Sequence, residues 1–107
     1  MTEVIYNERE LSLEFKGHAG NALLCAGLST LWGAIRGMVQ VAPTMMGEAE
    51  IEEEKDRSYI RCKPRPQYLY NVVSVMRTVF VGAAVLADNY PDNIQVREDN
   101  GDAFSDR

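Results

Sequence analysis

The chain has 107 residues, 46% of them hydrophobic, and a formal net charge of −5; this supports one core and excludes a second domain of ordinary size. No Lys/Arg cluster stands apart from acids, which excludes the electrostatic footprint of a direct nucleic-acid binder. Residues 1–9 carry acids and no apolar segment, and no unbroken apolar run approaches a bilayer span, so neither an export signal nor a membrane anchor is expected and the chain is assigned to the cytoplasm.

In chain order, residues 3–6 and 11–15 alternate apolar and polar side chains around the polar turn Asn7-Glu8-Arg9-Glu10, the pattern of a β-hairpin with Val4, Tyr6, Leu11, Leu13 and Phe15 on one face. From 21 to 40, Leu24, Leu28, Leu31, Trp32, Ile35, Met38 and Val39 recur at helical spacing, with Asn21 as a cap and Pro43 as a stop. Gly27, Gly33 and Gly37 inside this helix each cost up to about 1 kcal/mol relative to Ala, which points to close packing of another element. Residues 45–54 alternate again, with Met45, Gly47, Ala49 and Ile51 opposite Glu48, Glu50, Glu52 and Glu54. After a turn at Lys55-Asp56-Arg57, residues 58–63 form a return strand that brings Arg57, Arg61 and Lys63 near those acids.

Pro64-Arg65-Pro66 stops this second hairpin. Residues 67–89 place Leu69, Val72, Val73, Met76, Val79, Phe80, Ala83, Leu86 and Ala87 on one helical stripe; the many β-branched residues also suit a strand, but the length decides for a helix. A turn at Tyr90-Pro91-Asp92-Asn93 leads to a short strand over 94–97. The predicted fold is α+β, in the order ββαββαβ, with two helices on a mostly antiparallel sheet. Residues 1–97 form the single domain, and 98–107 are expected to be a mobile polar tail.

The one histidine, His18, falls just past the second strand, and Cys25 lies seven positions on, near the first turn of the following helix. A thiol needs a base or a positive field to become thiolate near neutral pH, and a nearby imidazole and a helix N-terminus each supply one. In that reading backbone N–H groups around Leu24 and Cys25 stabilise the oxyanion, and Asn21 orients His18 as the third member of a Cys-His-Asn site. The alternative is that Cys25 is a small core residue and His18 an ordinary polar residue at a strand end. Ser29, one helical turn after Cys25, shares its face and suits either the site or helix packing. Cys62, at inward spacing with Ile60, reads as core filler, and a reducing compartment leaves both thiols free. One His and two Cys fall short of a four-ligand zinc site, so no metal and no cofactor are expected.

At Gly17-His18-Ala19, followed by Cys25-Ala26-Gly27-Leu28-Ser29, the chain resembles the ribosomal-processing cysteine proteases of the Prp family, and the likeness continues through Leu86-Ala87-Asp88-Asn89-Tyr90-Pro91 into the last strand. The resemblance implies an α+β sandwich, usually a homodimer. It implies an endopeptidase that trims an N-terminal extension ending in aromatic residues from a ribosomal protein, or a relative that acts on a phage structural protein. Carried over by position, His18 is the catalytic histidine and Cys25 the nucleophile, with Gly17, Ala19 and Ser29 around them. The chain departs from the family's pattern in two ways. Six residues separate His18 from Cys25 where the family has a longer loop, and Ala22 stands where the family has Asp. A catalytically inactive, dimeric binding or assembly module of the same fold is therefore the alternative function.

Overall fold

In the computed structural model, which describes residues 1–99, the opening alternation becomes a hairpin of β1 (Thr2–Asn7) and β2 (Ser12–Gly17), with Val4 opposite Phe15 and Tyr6 opposite Leu13. Asn7 closes its turn, the side-chain oxygen accepting from the Glu10 N–H at 3.1 Å. The chain continues through α1 (Ala22–Val41), a short α2 (Pro43–Met46), β3 (Glu48–Glu54), β4 (Arg57–Lys63), a 3-10 turn (Pro66–Tyr68), α3 (Leu69–Asn89) and β5 (Ile94–Glu98). The five strands form one sheet in the order β3-β4-β2-β1-β5, antiparallel except for the parallel pair β1 and β5. The α+β class and the ββαββαβ order expected from the sequence are those of the structure.

Strand periodicity places one set of side chains under the helices. Val4, Tyr6, Leu13, Phe15, Ile60, Cys62 and Ile94 meet Leu24, Leu28 and Ile35 of α1 and Val72, Met76, Val79 and Ala83 of α3 in a single core. Fully burying a Leu, Ile or Met of this kind contributes about 1.5–3 kcal/mol, so these facing stripes hold the two layers together. Opposite the helices, charged rows meet across the ladder as expected: Glu54 faces Arg57, Glu50 faces Arg61 and Glu48 faces Lys63.

The structure departs from the sequence reading in three places. Met45 and Met46 lie in α2 rather than in β3, because Pro43 at the first helical position favours a turn of helix and that turn drops Met46 fully into the core. The helix glycines do not all mark a crowded interface: a Cβ on Gly27 would sit 3.5 Å from Leu86, but one on Gly33 or Gly37 would meet nothing within 4 Å. A tighter fit between the two long helices comes instead at α3, where a Cβ on Gly82 would lie 2.7 Å from the Leu31 side chain. β5 also runs one residue past Arg97, and the Asp99 N–H still bonds to the Tyr6 carbonyl at 2.7 Å, so the ladder holds the first two residues of the predicted tail. Residues 100–107 of that tail lie outside the described residues.

By length and composition alone, Ala22–Val41 and Pro66–Asn89 would each suffice to cross a membrane. Here each packs its stripe of core residues against the sheet.

Candidate active site

The segment that carries His18 is pinned at each step. Gly17 ends β2 with φ +88°, and a Cβ there would stand 2.4 Å from the Met1 carbonyl oxygen, so only glycine fits both the backbone conformation and the space. Ala19 is buried, and its carbonyl accepts from the Asn93 side-chain amide at 2.7 Å. The Asn93 carbonyl in turn takes the Thr2 N–H at 2.9 Å. The loop is thereby tied to β1 and to the turn before β5, while His18 between these anchors projects outward with 64% of its side chain exposed.

Gly20 then turns the chain into α1. Asn21 is the helix cap: its side-chain oxygen accepts from Leu23 N–H at 2.9 Å and Leu24 N–H at 3.2 Å, and its carbonyl takes the Cys25 N–H at 2.9 Å. The N–H groups of Leu24 and Cys25, expected as oxyanion donors, are thus engaged by Asn21. So is the Asn21 oxygen expected to orient His18; what remains for a developing anion is the field of the helix start. Leu24 and Leu28 point into the core. Cys25 and Ser29, one position further round the helix, therefore fall at the edge of that buried stripe, Cys25 half-buried and Ser29 exposed.

Of the predicted site residues, Gly17, His18, Cys25 and Ser29 meet in one cleft of about 190 Å³, while Ala19 and Asn21 lie outside its lining. Phe15, Leu28 and Trp32 supply its apolar wall, with Phe15 and Trp32 edge to face at 5.8 Å between centroids. Trp32 is held from outside the cleft by Glu53, which accepts from its indole N–H and from Arg36, each at 3.2 Å; these bonds, that to Trp32 first, hold the Glu53 carboxyl below its ordinary range. His18, Cys25 and Ser29 line the cleft together with Lys55, Asp56 and Arg57 from the tip of the β3–β4 hairpin. His18 Nε2 lies 2.5 Å from Asp56 Oδ1. Arg57 is committed elsewhere, to Glu14 and, at 3.1 Å, to Glu52.

Asp56 is the residue that sequence reading missed. It looked like a turn residue, because its partner lies 38 positions away and only the pairing of β4 with β2 brings the two together. Lys16 faces Arg57 in that ladder, so the next step places Asp56 beside Gly17, whose N–H donates to the Asp56 carbonyl at 2.8 Å. The second thiol is chemically separate. Cys62 is buried under the helices, away from the cleft, and burial pushes its pKa up to about 11. Among the described residues no group of three or more His, Cys, Asp or Glu is placed to hold a metal ion.

No family model matches the chain, and no curated protein does. Solved structures share its fold. An essential ribosomal processing protease, Prp from S. aureus, in complex with a covalently linked product peptide, superposes with a TM-score of 0.68 at 17% identity over 91% of this chain and 96% of that one. The same protease with a substrate peptide gives 0.67 at 15% identity, with the same coverage. SMU.848 from Streptococcus mutans gives 0.69 at 19% identity over 94% of this chain and 96% of that one. At these identities the likeness is one of fold.

Proposed function

We propose that the chain is a cysteine endopeptidase in which His18 is the base and Cys25 the nucleophile. The observation that carries the reading is that the only imidazole of the chain and its half-buried thiol line one open cleft, on a fold shared with a protease solved with a covalently linked product peptide. His18 takes the Sγ proton, and the thiolate adds to the peptide carbonyl. The amine then leaves with the proton from the imidazolium, giving a thioester on Cys25. Water, deprotonated by His18, hydrolyses that thioester and restores the thiol. Catalytic hydrogen bonds of this kind tighten as substrate fills the site.

Gly17 and Ala19 act by holding His18 in place, Asn21 by capping the helix that carries Cys25, and Ser29 as a polar group of the cleft wall. The Phe15–Trp32 wall suits an apolar or aromatic substrate side chain. The substrate is an extended N-terminal segment of a ribosomal or phage structural protein, cut in the cytoplasm by a homodimer, for which the exposed Val81 and Val85, one turn apart on α3, offer apolar surface. Incubation with peptides carrying paired aromatics before the scissile bond, beside a Cys25→Ala control, tests this. Cleavage by the wild type alone is expected. Equal cleavage by both, or none by either, would overturn the reading, and none by either would leave the non-catalytic assembly module in its place.

A further inference from the structure

The carboxylate at His18 comes from an element that neither the motif nor the order of secondary structure marks. We propose that Asp56, at the tip of the β3–β4 hairpin, is the positioning residue of the site: its carboxylate holds the His18 ring with Nε2 protonated and leaves Nδ1 to take the Cys25 proton. This rests on the peptidase reading and adds to it a third member from outside the His-to-Cys segment.

Three observations carry it. His18 Nε2 and Asp56 Oδ1 are 2.5 Å apart, and an ionised carboxylate only accepts, so the Nε2 of the neutral ring carries the hydrogen. Asp56 is held at two points against consecutive residues, its carbonyl by the Gly17 N–H at 2.8 Å and its carboxylate by His18, so the hairpin tip fixes the ring relative to the end of β2. The pair is also 64% and 58% exposed, where an ion pair adds little to folding; its place in the cleft with Cys25 accounts for it better than stability does. The other charged groups at the tip are Glu54, Lys55 and Arg57; Arg57 is taken by Glu14, Glu52 and, at 3.9 Å, Glu54, which leaves Lys55 as the other charged group of the tip that lines the cleft. When the thiol proton moves to Nδ1, the ring becomes imidazolium and the Asp56 carboxylate faces its positive charge through the existing Nε2–H contact. A peptide seated over the cleft excludes water from this pair and strengthens it.

The test uses Asp56→Asn, Asp56→Glu and His18→Ala in the full chain. Iodoacetamide alkylation at Cys25 is followed by peptide mapping from about pH 6 to about pH 9.5, with steady-state cleavage of the paired-aromatic peptides beside it. Asp56→Asn is expected to slow alkylation about tenfold at the acid end, to converge with wild type at the alkaline end where thiols ionise unaided, and to lower kcat with KM held within about twofold. Asp56→Glu restores most of both, and thermal melting stays put in each variant. Superimposed profiles for wild type and Asp56→Asn, while His18→Ala loses the acid-end reactivity, overturn the role of Asp56 and leave the Cys-His pair standing. If His18→Ala also superimposes, the peptidase reading itself falls.

Discussion

Gly17→Ala probes the support of the site most directly. Gly17 has φ +88°, which costs an L-residue with a side chain about 1–2 kcal/mol. The new Cβ would stand 2.4 Å from the Met1 carbonyl oxygen, roughly 1 Å inside contact. That oxygen belongs to the same peptide unit as the Thr2 N–H, which donates to the Asn93 carbonyl, and the Asn93 side chain holds the Ala19 carbonyl. Retreat of Met1 therefore strains the whole tie that fixes the loop, adding about 1–3 kcal/mol as overpacking does. The sum is a loss of about 2–5 kcal/mol. Gly20→Ala is the internal control: φ is +74° there too, but a Cβ would meet nothing within 4 Å, so only the conformational part, about 1–2 kcal/mol, applies. Urea denaturation followed by the fluorescence of the single tryptophan, Trp32, measures both. Equal losses in the two variants, or a Gly17→Ala loss below about 0.5 kcal/mol, would refute the close approach of β1 to the His18 loop.

Three further outcomes follow from the packing. Asn21→Ala removes the cap on the Leu23 and Leu24 N–H groups and is expected to cost about 1 kcal/mol in the same denaturation assay. Gly33→Ala, in open space on α1, is expected to stabilise the protein by about 0.5–1 kcal/mol, and a loss would mean that this position is covered. Burial raises the Cys62 thiol from 9.0 to about 11; its stabilising contribution is therefore full below about pH 9 and is lost as pH rises through about 11, by about 2–3 kcal/mol at most. Denaturation curves at about pH 8 and about pH 11 should show a smaller alkaline loss in Cys62→Ala than in wild type, since both keep the other alkaline-titrating groups.

Much of the fold was legible because its signals are local. Alternation gave the hairpins, the three-and-four spacing gave both long helices, and Asn21 marked the start of α1, where its side chain does bond the first-turn N–H groups. Met45 and Met46 misled because a short apolar run fits a strand and a helical turn alike, and only burial of Met46 in the core decides between them. The helix glycines misled because a glycine's cost tells that something compensates, not which residue stands opposite; the tight contact belongs to Gly82 on the partner helix. His18 and Cys25 stood out as rare residue types near a strand end and a helix start. Asp56 did not, since its place beside His18 depends on β4 pairing with β2 across a long sequence separation, and no local pattern encodes that neighbour.

A peptidase of this kind forms a covalent bond between Cys25 and its substrate, with His18 as the base. Intact-mass measurement after rapid acid quench of the protein with a peptide thioester or a slowly turned-over ester of a paired-aromatic sequence tests this bond itself. An added mass equal to the acyl portion, mapped to Cys25, is expected in wild type and Asp56→Glu and is expected to be lost in Cys25→Ala and His18→Ala. Peptide turnover with no adduct, or an adduct that forms as readily in His18→Ala, would contradict it.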